Sequence, residues 1–293
     1  MAGSTAPILL LALILGASVQ ADPQARVAVL MPSVEDALRT APGNFAVVAG
    51  VRRSLHEPAR EGLIDLGNPH SPSFERLAEA RPTLIVGDAA IHAAQSERLA
   101  VAGAEVLLID TRSIDATLAG LEQVGERVGV GPAMKARTQA VRARLGELSL
   151  ATPLPTLAIF GAPGSFLVVT ERTWLGDLLE RLAFTNVGNA PGGDERFPGL
   201  VALSDERFAG LRPELVLLVA HGDPQAIRGA FEQRTAQGGP WSGLRTQASR
   251  GVHVLDPTLF AANPGLDVVG AAEALVAFAQ PAAAPTPAAE VAR

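Results

Sequence analysis

The chain has 293 residues, 48% apolar and 18% charged, with a formal charge of −6, no cysteine and no tyrosine. Without cysteine it has no disulfide, no thiolate for metal binding or nucleophilic catalysis and no lipid-anchor cysteine, and without tyrosine no phenolate for iron. The acidic balance and the lack of a basic block argue against nucleic acid as a partner, and the length suffices for two modest cores.

The chain opens with "MAGSTAPILLLALILGASVQADPQ", whose apolar run spans residues 8–15 and whose Val19-Gln20-Ala21 precedes Asp22. That run is too short for the about 20 residues of a membrane span. Residues 1–21 therefore read as a cleavable secretory signal peptide and the location as periplasmic; an uncleaved interfacial anchor is the other reading.

Apolar runs then alternate with amphipathic ones. "RVAVL" (26–30), "FAVVAG" (45–50), "TLIVG" (83–87) and "EVLLID" (105–110) predict buried strands. Helices are expected over 33–40, 73–80 and 113–129, each opened by a serine cap. This alternation predicts a parallel sheet flanked by helices. A long helix over 131–150 follows with no strand attached, and the prolines of "ATPLPT" bound it. The alternation restarts with strands 156–161 and 166–170, helices 174–183 and 205–211, strands 214–219 and 252–256, and a helix over 267–279. The Pro/Ala-rich end predicts a disordered tail. The expected organisation is signal peptide 1–21, N-terminal lobe 22–130, linking helix 131–150, C-terminal lobe 151–279 and tail 280–293. The fold class is α/β, with two Rossmann-like lobes of parallel sheet joined by one long helix.

"SFERLAEARPTLIVGD" and "LSDERFAGLRPELVLLVA" form a weak internal repeat of Ser, Glu-Arg, Arg-Pro and strand. Ligands of open α/β sheets bind beyond the carboxyl ends of the strands. Two lobes of this design place a ligand in the cleft between them. His221 follows the run Leu215–Ala220, and His70 lies in "GNPHSP" (67–72), so both belong to strand-end loops, from different lobes. Read from the residues alone, each is either a turn histidine bonded to backbone or a ligand-holding group. Of the other histidines, His253 reads as packed within its strand, and His56 and His92 as surface residues.

The whole mature chain resembles the periplasmic substrate-binding proteins of ABC importers for haem, corrinoids and ferric siderophores. "LGNPHSPSFERLAEARPTLIVGD" and "PWSGLRTQASRGVHVLD" carry that resemblance in the two halves. "LAIFGAPGSFLVVTERTWLGDLLERLAFTNVG" (157–188) and "RPELVLLVAHGDPQAIRGAFEQ" (212–233) are more specifically similar to the haem receptors of iron-regulated surface determinant systems. The resemblance implies a receptor for haem, with an ABC permease in the inner membrane as partner. His221 stands where those receptors have an axial histidine. His70 stands where they have an axial methionine, a departure that points to bis-histidine ligation. Imidazole is an accepted axial donor to haem iron. Glu75 and Glu206 occupy corresponding places in the repeated helices; the wider family docks on its permease through such glutamates, and as first-turn carboxylates they also suit the helix dipole.

Phe166 and Trp174 are candidates for the wall of a planar apolar ligand, or else members of the lobe core. Arg52 and Arg53 follow strand 45–50 and either meet carboxylates such as haem propionates or form a solvated basic pair. No Walker spacing, nucleophile elbow or zinc motif points to an enzyme. A ferric-siderophore or corrinoid receptor is the alternative within the family, and a secreted α/β hydrolase the alternative outside it. A monomer is expected.

Overall fold

A computed structural model describes residues 25–280 apart from 53–57, 59, 101–102, 190–197 and 248. The predicted signal peptide and residues 281–293 of the predicted tail lie outside the described residues, as do Arg53 and His56.

The first half runs β1 (Ala25–Val29), α1 (Pro32–Arg39), β2 (Phe45–Gly50), β3 (Ile64–Asp65), β4 (Gly67–Asn68), β5 (Ser71–Pro72), α2 (Phe74–Ala80), β6 (Leu84–Asp88), α3 (Ala89–His92), α4 (Ser96–Ala100), β7 (Glu105–Ile109) and α5 (Ile114–Arg127). Strands β3-β2-β1-β6-β7, in that order, form one parallel sheet, and β4 and β5 pair separately as a short antiparallel ladder. α6 (Gly131–Glu147) then leads to the second half. That half runs β8 (Leu154–Ala162), β9 (Ser165–Val169), α7 (Trp174–Arg181), β10 (Phe184–Asn186), β11 (Leu200–Val201), α8 (Asp205–Gly210), β12 (Leu215–Ala220), α9 (Pro224–Thr235), α10 (Ser242–Gln247), β13 (Val252–Leu255), α11 (Pro257–Phe260) and α12 (Val268–Phe278). The second sheet is ordered β11-β9-β8-β12-β13, with β10 beside the start of β8.

Pairing is parallel among β8, β10, β12 and β13, but β9 folds back on β8 as a hairpin and β11 is antiparallel to β9. Gly164, at φ 77°, makes the tight Pro163-Gly164 turn of that hairpin. The weak repeat of the sequence becomes a repeat of structure. Ser73 caps α2 through the Arg76 N–H and Ser204 caps α8 through the Arg207 N–H. Each helix feeds a central strand, β6 or β12, that lies beside the first long strand of its sheet.

Both sheets pack on one shared apolar layer. It contains Val27 and Val29 from the first sheet, Leu121 of α5, Met134 of α6, Ala158 and Leu217 from the second sheet, and Leu275 of α12. Each outer face has its own core, around Leu77 and Ile85 in the first half and around Phe208 and Trp241 in the second. Among the described residues no helix is long and apolar enough to cross a membrane.

Three local expectations change, the first at Ser33, which lies inside α1 rather than capping it: the N-cap is Met31, with no side-chain hydrogen bond. α6 ends at Glu147, three residues before the predicted end: Leu148 is extended and the Leu150 N–H bonds to Leu182 O, tying the chain to the end of α7. α9 was not anticipated, although Asp223 caps it by accepting the Gln225 N–H at 2.9 Å and Pro224 opens it.

α5 crosses α6 closely at Gly125, where an added Cβ would lie 2.6 Å from Met134 Cβ. Helix propensity alone favours alanine there by about 0.5–1 kcal/mol, whereas overpacking costs about 1–3 kcal/mol. Gly125→Ala is therefore expected to destabilise the protein, read as a lower urea midpoint; a raised midpoint would contradict this packing.

Candidate functional site

His221 is placed by strand alternation. Leu215, Leu217 and Val219 of β12 face the shared apolar layer, and successive side chains alternate faces. His221, two residues past Val219, continues that row where the strand ends. Its N–H donates to Gly161 O at 2.8 Å, extending the β8–β12 ladder by one bond. Gly222 then turns the chain at φ 114°, a value that suits glycine. The Phe160 ring lies against the imidazole, with centroids 5.3 Å apart and planes tilted by 30°.

His70 comes from the other half of the chain, at the tip of the β4–β5 ladder. Its N–H donates to Asn68 Oδ1 at 2.8 Å, and its carbonyl accepts from Gln95 Nε2 at 3.3 Å. The side chain stays exposed. His221 is exposed as a whole residue, yet desolvation of its ring, then the charge of His70, holds its pKa below the ordinary value of 6.5, so the two imidazoles are near enough to interact. The structure therefore brings together two histidines that are far apart in sequence. It does so at the carboxyl ends of strands, where open α/β sheets bind ligands.

The remaining candidates are distributed differently. Arg52 is bound to Asp65, with Nε 2.9 Å from Oδ2 and an ion pair from Nη2. That arginine is the main reason the Asp65 carboxyl lies below its usual range. Asp65 also accepts the Gly67 N–H at 2.9 Å, so the pair braces the foot of the His70 ladder. Phe166 is opposite Gly161 in the β8–β9 hairpin and points to the outer core, edge-on to Phe231 and Trp241 at 5.8 and 5.5 Å. It therefore lies on the sheet face away from His221, and of its two readings, ligand wall or lobe core, the packing fits the core, because alternation assigns Phe160, rather than Phe166, to the histidine's face. Trp174 packs against the shared layer and stacks on Phe260 at 6.2 Å. Glu75 and Glu206 are exposed in the first turns of α2 and α8, at equivalent places in the two halves. Hydrogen bonding with Ser204 lowers the Glu206 pKa.

Two residues near the histidines escaped sequence reading. Phe160 sits in an apolar run, and only its pairing with Val219 shows that it shares a face with His221. His92, expected at the surface, is fully buried. Its Nε2 bonds to Pro69 O at 2.8 Å, and its Nδ1 lies 2.9 Å from Asp88 N and 3.1 Å from Asp88 O. The signal was present in "GDAAIH": Asp88 caps α3, and His92 stands four residues on, one helical turn away. Among the described residues no group of three or more His, Cys, Asp and Glu side chains could hold a metal ion.

Residues 36–218 match the periplasmic binding protein family, so the chain belongs to that family. Its relatives include the high-affinity heme uptake system protein IsdE of Staphylococcus aureus, 19% identical over 208 residues, covering 69% of this chain and 70% of IsdE. The structure of S. aureus IsdE complexed with heme is similar at TM-score 0.73 and 16% identity, over 87% of this chain and 98% of that one. The periplasmic heme binding protein HutB of Vibrio cholerae is similar at TM-score 0.68 and 16% identity, over 88% and 99%. The petrobactin-binding protein YclQ of Bacillus subtilis is similar at TM-score 0.71 and 13% identity, over 88% and 93%. At these identities the structural likenesses establish the two-lobe fold.

The His221 resonance, followed by NMR, is expected to titrate below 6.5 in the ligand-free protein. His70→Ala removes the smaller of the two causes, so the midpoint should rise while staying below 6.5. A midpoint unmoved by the substitution would show that the two imidazoles are not neighbours.

Proposed function

We propose that this protein is a periplasmic receptor that captures haem between its two lobes and delivers it to an ABC permease. The observation that carries this reading is the histidine pair, one imidazole from each lobe, with no third acidic or imidazole donor grouped beside them among the described residues. Two imidazoles are too few to hold a free metal ion, since structural sites use about four ligands. They match iron whose equatorial positions are already filled by a macrocycle, leaving two axial places. A hexadentate ferric siderophore needs no protein donor on iron at all. Haem-binding IsdE and HutB among the similar structures support the reading, and petrobactin-binding YclQ keeps a siderophore as the second reading.

Each residue then has a physical task. His221 is presented by a strand end and oriented by Phe160; His70 is presented from the opposite lobe by its pinned turn. Ligation needs neutral imidazoles, and protons compete for the same lone pairs. Because the His221 pKa is depressed, its donor form persists to lower pH than an ordinary histidine's. Arg52, engaged with Asp65 through Nε and Nη2, stays a candidate partner for a propionate, since a guanidinium carries five N–H donors. The protein captures its ligand and performs no chemistry on it. The loaded receptor docks through Glu75 and Glu206, each held out in the first turn of a serine-capped helix. Secretion through residues 1–21 and a monomeric state complete the proposal.

Titration with ferric haem followed in the visible range tests it. Saturable binding with a low-spin spectrum is expected, and His221→Ala or His70→Ala should each weaken binding about tenfold or more, 1.4 kcal/mol per tenfold. A spectrum unchanged by His70→Ala would exclude ligation by that residue, and no saturable binding would exclude haem. Glu75→Lys together with Glu206→Lys should leave haem affinity intact while abolishing receptor-stimulated ATP hydrolysis by the permease.

A further inference from the structure

The buried imidazole of His92 has no place in the ligation described above, yet it touches the loop that carries His70. Its Nε2 is 2.8 Å from the carbonyl of Pro69, the residue immediately before His70. A carbonyl only accepts, so Nε2 carries the hydrogen, and in the neutral ring Nδ1 accepts from Asp88 N–H at 2.9 Å. Room for the ring comes from Gly87, where a Cβ would lie 3.0 Å from Nδ1. Asp88 is itself fixed: Oδ1 accepts the Ala90 N–H at 2.7 Å and Oδ2 accepts the Thr111 hydroxyl at 2.5 Å. Together with the His70 N–H bond to Asn68 Oδ1 and the Gln95 bond to His70 O, this ties down the Pro69 carbonyl and both main-chain polar groups of His70, while the His70 side chain stays exposed.

We infer that His92 is a positioning residue, a strut between the end of β6 and the Pro69 carbonyl that fixes the direction in which His70 offers its imidazole. The inference rests on the haem reading for its functional consequence, but the strut itself is a property of the ligand-free protein. Loss of a hydrogen bond that orients a metal ligand costs about 10–100-fold in affinity. Leucine fills the buried space without a donor, whereas the amide of glutamine can still donate to Pro69 O.

Two measurements on the full chain test it. In the ligand-free protein, amide exchange at His70 and Ser71 is expected to accelerate in His92→Leu and to stay slow in His92→Gln, with the thermal midpoint of each variant recorded alongside. With ferric haem, His92→Leu should reproduce the spectrum of His70→Ala, the double variant should add nothing further, and His92→Gln should keep the wild-type spectrum. Should His92→Leu fail to fold, His92→Asn, which shortens the donor's reach, takes its place in both arms. Unchanged exchange at His70 in the donor-less variant overturns the strut, as does a low-spin spectrum that survives it. Faster exchange in a protein that binds no haem would leave the strut standing and remove the haem reading alone.

Discussion

The apolar layer shared by the two sheets is the constraint on which the proposed pairing of His70 with His221 depends. A ligand clasped from two sides needs two strand-end faces held in fixed relation, and here the relation is set by packing. Val29, Met134, Leu217 and Leu275, from four different elements, belong to that one layer. Each such buried side chain contributes about 1.5–3 kcal/mol. The polar ties between the halves are individually smaller, about 0.5–1.5 kcal/mol each. They include Asp177 accepting the Ile114 N–H at 2.7 Å and Asn263 donating to Thr111 O at 3.0 Å. By magnitude the apolar layer holds the lobes, and the polar ties set register at its margin.

On that frame the site is built from main-chain geometry more than from side-chain clusters. His221 is where it is because a β-strand alternates and because Gly222 allows a turn directly after it. His70 is where it is because a four-residue ladder ends in a turn whose carbonyls are tied to α3 and its neighbours. The remaining recognised residues do supporting work. Asp65 and Arg52 brace the foot of the ladder; Phe166 packs the outer face of the hairpin that flanks His221. This division suits the proposed two-donor site, whose donors are few and whose main chain is held by several hydrogen bonds.

Much of the fold was legible in the sequence because it depends on local pattern. The continuous apolar runs of β1, β6 and β12 match strands buried on both faces, and Ser73 and Ser113 cap the helices they announce, whereas Ser33 lies inside α1. The antiparallel return of β9 was not legible, since a Pro-Gly turn between two apolar runs allows several pairings. α9 was overlooked because Asp223-Pro224 reads as a turn as readily as a helix start. For the site, His70 and His221 could be paired only through family resemblance: periodicity places each at a strand end and says nothing about which strand ends meet. Phe160 and Phe166 show the limit from the other side. Both are aromatic and both lie in one hairpin, but only the register Ile159↔Val168 and Gly161↔Phe166 decides which face each occupies. The burial of His92 depends on a glycine one strand residue before its helix, a three-dimensional fit with no periodic signature.

The central claim is that two axial imidazoles, rather than general shape, select the ligand. Equilibrium competition between ferric haem and a ferric triscatecholate on the wild-type protein and on the His70→Ala, His221→Ala double variant measures this directly. The account predicts that the wild type retains haem against the siderophore and that the double variant loses this preference. Retention of the siderophore by the wild type, or an undiminished preference for haem in the double variant, would contradict it.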